Sequence, residues 1–183
     1  FLDNFTGAAS TILPSHTPDT DTVGGGWKAV SGRNDLELDG SGNAQDTSGP
    51  CENQVDVGAW TGIIRFPVNA RENSHYINLG GDSGAKFTDA RARDARIGIT
   101  QISLYEYNYG STTLIGTVGD TTSMTFYFRV TSDHVYIYNG DKTLLLDGPT
   151  AYTPNGTFSS IFSNGPKYDI VEYYNTTDLG QVP

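Results

Sequence analysis

Apolar and polar residues alternate over short stretches along most of the chain, and helical spacing is almost absent. Leu2 to Phe5 is short and alternating, and Gly25 to Val30 carries Trp27. In 35–39, DLELD, Leu36 and Leu38 face one way and three carboxylates the other. The run 53–69, NQVDVGAWTGIIRFPVN, alternates Val55, Val57, Ile63 or Ile64, Phe66 and Val68, with a bend expected at Gly58 or Gly62. His75 to Leu79 follows, then 95–109, ARIGITQISLYEYNY, and 112–118, TTLIGTV, joined by Tyr109-Gly110-Ser111. In 122–131 Met124, Phe126, Phe128 and Val130 fall on one face, Tyr127 and Arg129 on the other. The segment 134–138, HVYIY, turns at Asn139-Gly140-Asp141 into 142–147, KTLLLD, and late strands are expected at 157–162 and 168–174. Asn139-Gly140 is the strongest hairpin signal and reads as a type I′ turn. The segment 85–96, AKFTDARARDAR, has Asp and Arg that could pair at helical spacing. It lacks an apolar stripe, so it reads as a solvated loop holding one turn.

About a dozen strands with turn residues every 8 to 12 positions predict an all-β sandwich or barrel. Parallel βαβ architecture is excluded, because no crossover helices exist. The 183 residues fit one domain, 1–183, which buries roughly 70% of its unfolded surface. With 36% hydrophobic residues, 11 Tyr and 8 Phe, the chain is too apolar for disorder.

Residues 122–147, TSMTFYFRVTSDHVYIYNGDKTLLLD, resemble the central meander of concanavalin A-like (laminin G-like) jelly rolls. The opening FLDNFTGAASTILPSHTPDTDTVGGGW, residues 1–27, is similar to the start of jelly-roll domains appended to bacteriophage tail, fibre and other virion proteins. Residues 102–110, ISLYEYNYG, resemble the middle strand of that fold. The resemblance implies a two-sheet antiparallel jelly-roll sandwich. It also implies that the early DNF strand pairs with the last strand, at about 169–174, and that the domain sits on a virion surface or in another extracellular setting. That fold serves lectins, glycanases, lyases and scaffolds alike, so function has to be argued from residues.

Net charge is −10, a sign that repels phosphate backbones and anionic head groups; nucleic acid and membrane are poor partners. No stretch approaches the length of a membrane span. Cys51 is alone, which rules out an intrachain disulfide and gives no metal or nucleophile signal. The chain opens at Phe1 rather than Met, which reads as processed or cut from something longer.

Catalytic motifs are incomplete. Asp35, Glu37 and Asp39 share a strand face, like the acid run of laminarinase-type jelly rolls, but no third acid follows at the required place. Lyases of similar fold need a Gln-x-His strand, and Gln101-Ile102-Ser103 lacks the His. No enzyme is therefore expected, and a glycoside hydrolase or polysaccharide lyase stands as the outsider. Asp19 and Asp21, in Asp19-Thr20-Asp21-Thr22-Val23-Gly24, look like the first half of a calcium loop without its closing Glu. A structural calcium is the one cofactor this suggests.

Aromatic residues give the clearest binding signal. Tyr105, Tyr107 and Tyr109 alternate along one strand, Tyr136 and Tyr138 along another, and Trp60 and Trp27 offer the largest flat rings. Sugars stack on such rings while polar groups hold their hydroxyls. The expected site is Tyr105, Tyr107, Tyr109 and Trp60, with a glycan or cell-surface polysaccharide as ligand. In a regular strand Glu106 and Asn108 point away from these tyrosines, so loops would have to supply polar contacts. The alternative is a decoration or scaffold domain whose partners are structural neighbours in a capsid, virion or fibre.

Overall fold

The computed structural model describes residues 1–46, 49–68, 75–89, 91–120, 122–154, 156–163 and 167–183; positions 69 and 90 of the runs read above lie outside them. Strands make up half of the described residues and helix 5%. The strands are β1 (Leu2–Asp3), β2 (Lys28–Ala29), β3 (Glu37–Leu38), β4 (Ala44–Gln45), β5 (Cys51–Asp56) and β6 (Gly62–Pro67). Then come β7 (His75–Gly81), β8 (Arg91–Ile97), β9 (Gln101–Asn108), β10 (Ser111–Gly119) and β11 (Thr125–Val130). The last five are β12 (His134–Asn139), β13 (Leu144–Pro149), β14 (Phe158–Ser163), β15 (Lys167–Tyr168) and β16 (Val171–Tyr174).

Two sheets form the sandwich. A six-stranded sheet runs β1-β16-β6-β11-β12-β13, and a seven-stranded sheet runs β10-β9-β8-β7-β14-β5-β2. A small third sheet, β15-β4-β3, carries Leu38 and Ala44 into the same core. Every described pairing between named strands is antiparallel.

Alternation decides which residues fill the space between the sheets. Phe126, Phe128 and Val130 of β11 meet Ile77, Leu79, Ala95, Ile97, Ile102 and Leu104 of the facing sheet in one apolar cluster. Tyr127 and Arg129 point the other way. Tyr127 is nonetheless only 3% exposed, because Val182 and Leu179 of the C-terminal segment cover it, and its hydroxyl donates to the Pro183 carbonyl. Met124 precedes β11 and stays outside the core, unlike the phenylalanines it was aligned with.

The opening segment closes the sandwich. Leu2 and Asp3 pair with Glu172 and Val171, as the resemblance implies. Asp3 is fully buried, and its carboxylate accepts from Trp27 Nε1 at 2.6 Å and from the Phe5 amide at 2.8 Å, with His16 Nε2 at 2.9 Å. These contacts tie the DNF strand to the glycine-rich loop before Trp27.

Three sequence expectations need correction. Residues 85–96 are not a solvated loop: after a 3₁₀ turn at Phe87–Asp89, β8 runs through the middle of the seven-stranded sheet. Its charges are admitted because each has a partner, Arg93 with Glu106, Arg96 with Asp94 and Arg91 with Asn108. The run 95–109 is a hairpin rather than one strand, breaking after Ile97, with the Gly98 amide donating to the Gln101 carbonyl. The Asn139 hairpin is present, but its turn is not type I′: Lys142, not Gly140, takes the positive φ of 59°. The Asn139 side chain, accepting from the Asp141 and Thr143 amides, favours this longer loop. The pair with two positive φ angles is Tyr109 (46°) and Gly110 (85°), between β9 and β10. A glycine at the second position keeps the strain of that I′ turn low.

Candidate functional site

On the seven-stranded sheet, every residue opposite the core side belongs to a face that antiparallel register sorts into rows. One row runs Glu52, Phe162, Tyr76, Arg96, Ser103 across β5, β14, β7, β8 and β9. The next runs Gln54, Ser160, Asn78, Asp94, Tyr105 across the same strands. The first row mixes aromatic, cationic and hydrogen-bonding side chains, and the second adds an aromatic ring to polar and acidic ones.

Cations and rings alternate across this face. Arg33, from the loop before β3, lays its guanidinium 5.1 Å over the Phe162 ring. Phe162 meets Tyr76 edge to face at 4.8 Å. The Arg96 guanidinium lies 4.7 Å from the centre of Tyr76 and 3.9 Å from that of Tyr105. Such contacts fix the orientation of the planar groups while leaving their edges able to donate.

Beneath the two arginines lie two carboxylates. Arg33 Nε is 3.3 Å from Glu52, and Arg96 Nε donates to Asp94 at 2.7 Å. Neither acid is exposed. Burial pushes Asp94 up to about 7, with the Arg96 ion pair pulling it back only in part and the Glu52 charge adding to the rise. Burial also raises Glu52, against hydrogen bonds from the Phe87 amide and Arg33.

A pH dependence follows from Asp94. Between its ordinary 3.8 and its folded value of about 7, the folded protein holds a proton that the unfolded chain has released. Stability therefore falls as pH rises through that window. Asp3 and Glu52 are raised as well and act in the same sense. Asp94→Asn isolates the effect: urea midpoints of the variant should drop less between the two ends of the window than those of the wild type. Identical drops would show that Asp94 ionises in the folded protein without penalty.

The connection from β7 to β8, residues 82–89, folds back over part of this face. The Gly84 amide donates to Gln54 Oε1 at 2.9 Å, Gln54 Nε2 donates to the Ala85 carbonyl at 2.5 Å, and the Phe87 amide donates to Glu52 at 3.0 Å. The Phe87 ring packs 5.0 Å from Tyr107 and 5.8 Å from Phe162. Below it, among the described residues, neither side-chain polar atom of Asn78 nor Asp94 Oδ1 has a hydrogen-bond partner.

The residues expected from sequence are thus partly gathered. Tyr105 is half-buried in the cation–ring row. Tyr107 shares its face but is 2% exposed under Phe87. Tyr109 leaves the strand at the I′ turn, 56% exposed beside Arg91. Trp60 is half-buried on the connection between β5 and β6, and β5 lies four strand spacings, about 19 Å, from β9. It does not join the tyrosines. Asp19 accepts from the Asn4 amide and Asp21 spends both oxygens on the Gly24 and Gly26 amides, so each holds main chain. Glu37 lies on the small third sheet, while Asp35 accepts from Asn53 and Asp39 from Asn43 and Lys167. Glu106 points into the core, away from Tyr105, as alternation requires.

Two other places hold recognisable chemistry. On the outer face of the six-stranded sheet His134, Tyr136 and Tyr138 stack in a ladder with centroids 5.8 and 6.2 Å apart. An open cleft of about 340 Å³ lies against Pro14, His16, Pro18 and Asp21 and offers no aromatic face beyond the imidazole. Neither combines rings with paired arginines as the seven-stranded sheet does.

No family model matches the sequence. A stretch of 53 residues, 29% of this chain, is 49% identical to part of cyclosporin synthetase simA of Tolypocladium inflatum, a share of that protein that rounds to 0%. Similarity of fold is far broader. A β-glucanase of Bacillus licheniformis superposes with a TM-score of 0.62 at 12% identity, covering 96% of this chain and 98% of that one. The carbohydrate-binding module CBM66 of Bacillus subtilis superposes with a TM-score of 0.57 at 10% identity, covering 80% and 92%. Sheep galectin-11 gives 0.52 at 8% identity, covering 70% and 100%. The chain has the concanavalin A-like jelly-roll fold.

Proposed function

We propose that this domain is a non-catalytic carbohydrate-recognition module and that its binding surface is the outer face of the seven-stranded sheet. The observation that carries the reading is the chain of contacts Arg33–Phe162–Tyr76–Arg96–Tyr105 across two neighbouring rows, which sets rings and planar donors side by side. Rings receive the apolar faces of sugars, and polar edges beside them fix hydroxyls and orientation. A carbohydrate-binding module and a galectin among the proteins of this fold support the same reading. An extracellular or virion-surface setting is part of the proposal and rests on the opening segment alone.

The glucanases of this fold, together with Glu52 and Asp94, are what favours a glycosidase. Geometry speaks against it. Both acids are sealed from solvent beneath arginines, so neither carboxyl is free to reach a glycosidic bond.

A glycan array probed with the domain tests the reading against the scaffold alternative. Retention of at least one glycan class is expected, together with no release of reducing ends from mixed polysaccharides. Silence across the array would favour the packing role, and released reducing ends would restore the enzyme.

A further inference from the structure

We infer that this face selects an acidic glycan, one whose sugars carry carboxylates, and that Arg33 and Arg96 receive them. The inference rests on the carbohydrate-recognition reading and adds the class of sugar.

The distribution of charge is the first argument. The chain carries a net −10 with only eleven Lys and Arg, yet four of those eleven meet here. Arg33 and Arg96 lie in the chain of contacts itself. Lys28 places its ammonium 4.7 Å over Phe158 of β14, and the Lys86 ammonium lies against Gly32, next to Arg33. The two acids that pair with the arginines do not project: Glu52 and Asp94 are fully buried, each already occupied by one arginine Nε. At Arg33 and Arg96 an incoming ligand therefore meets the guanidinium groups before the carboxylates beneath them.

The second argument is the state of the two guanidinium groups. Each spends its Nε on a carboxylate below and rests its plane on a ring. Among the described residues, neither donates an Nη hydrogen bond. The side chains are 21% and 26% exposed. A guanidinium held rigidly with its Nη edge unused matches the two oxygens of a carboxylate, and little ordering entropy remains to be lost on binding. Neutral sugars offer no such partner.

Spacing is the third. Arg33 sits over a ring on β14, and Arg96 sits over rings on β7 and β9, so about two strand spacings, some 10 Å, lie between them. That is about the length of a disaccharide unit, so one chain can place two charged sugars on the two arginines while Phe162 and Tyr76 floor the path between them.

The test is titration calorimetry with a panel of uronate and sialate oligosaccharides, each paired with its methyl-esterified, neutral counterpart. The acid forms should bind at least about tenfold tighter than their esters, a charge-assisted hydrogen bond being lost with each ester. Added salt should narrow that gap only partly, because the arginines are half-buried. Arg33→Gln and Arg96→Lys should each weaken the acid forms about tenfold more than they weaken the esters. Arg96→Lys keeps a cation beside Asp94, so an unaltered melting curve separates a binding defect from an unfolded variant. Equal binding of acids and esters overturns the inference and leaves carbohydrate recognition standing. Binding of sulfated oligosaccharides alone overturns the carboxylate assignment. Failure of acids and esters alike, with neutral glycans silent too, removes both readings.

Discussion

Arg93→Met should destabilise the domain by about 3–5 kcal/mol, read from urea unfolding, because it strands a buried carboxylate. Arg93 is fully buried and faces the core side of β8, with Nη1 2.8 Å from Glu106 of β9. Glu106 in turn accepts from the Ala151 and Tyr152 amides at 2.9–3.1 Å. Removing the arginine leaves that charge in an apolar interior with only two amides to compensate it. The double variant Arg93→Met, Glu106→Gln should recover most of the loss, since a glutamine oxygen can still accept from the amides. This pair matters to the site, because β8 and β9 carry Arg96 and Tyr105. A single-variant cost under about 1 kcal/mol would mean that water reaches the pair.

Phe128→Ala should cost about 3–5 kcal/mol as well, for the different reason that it opens a cavity between the sheets. Phe128 is fully buried, opposite Ile64 on β6 and Ile137 on β12. Its neighbour Arg129 rests on Tyr136 outside the core, and Arg129→Ala should cost about 1 kcal/mol or less. Equal costs would mean a register slipped by one residue, which would move every side chain of β11 to the other face.

These two residues also mark where the sequence could be read and where it could not. Phe128 lies in an apolar alternation flanked by turn residues, a pattern that depends on nothing outside the segment. The same holds for Leu36 and Leu38, both fully buried, and for Tyr105 and Tyr107 on one face of β9. Arg93 lies in a stretch whose charges look solvated until their partners are known. The partner information was present in a form that alternation does not test. Across a hairpin turning at Gly98, Arg93 falls opposite Glu106 and Arg91 opposite Asn108, complementary pairs in register. Reading that complementarity would have revealed β8, and with it Asp94 and Arg96. The fold-back of residues 82–89 had no such signal. Its contacts with Gln54 and Glu52 span about 30 residues of sequence and depend on strand order, which only the assembled sheet sets. For that reason Tyr107, the middle of the expected stripe, proves to be covered, which leaves Tyr105 half-buried on the sheet face and Tyr109 exposed at the turn.

The most direct test of carbohydrate recognition on this face is a titration of the wild type and of Tyr105→Ala with whichever glycan the array retains, followed by amide chemical shifts. The account predicts that shifts in the wild type concentrate on β14, β7, β8 and β9 and that Tyr105→Ala weakens binding about tenfold or more with the fold intact. Unchanged affinity in the variant, or shifts that concentrate on β11 and β12 of the other sheet, would contradict it.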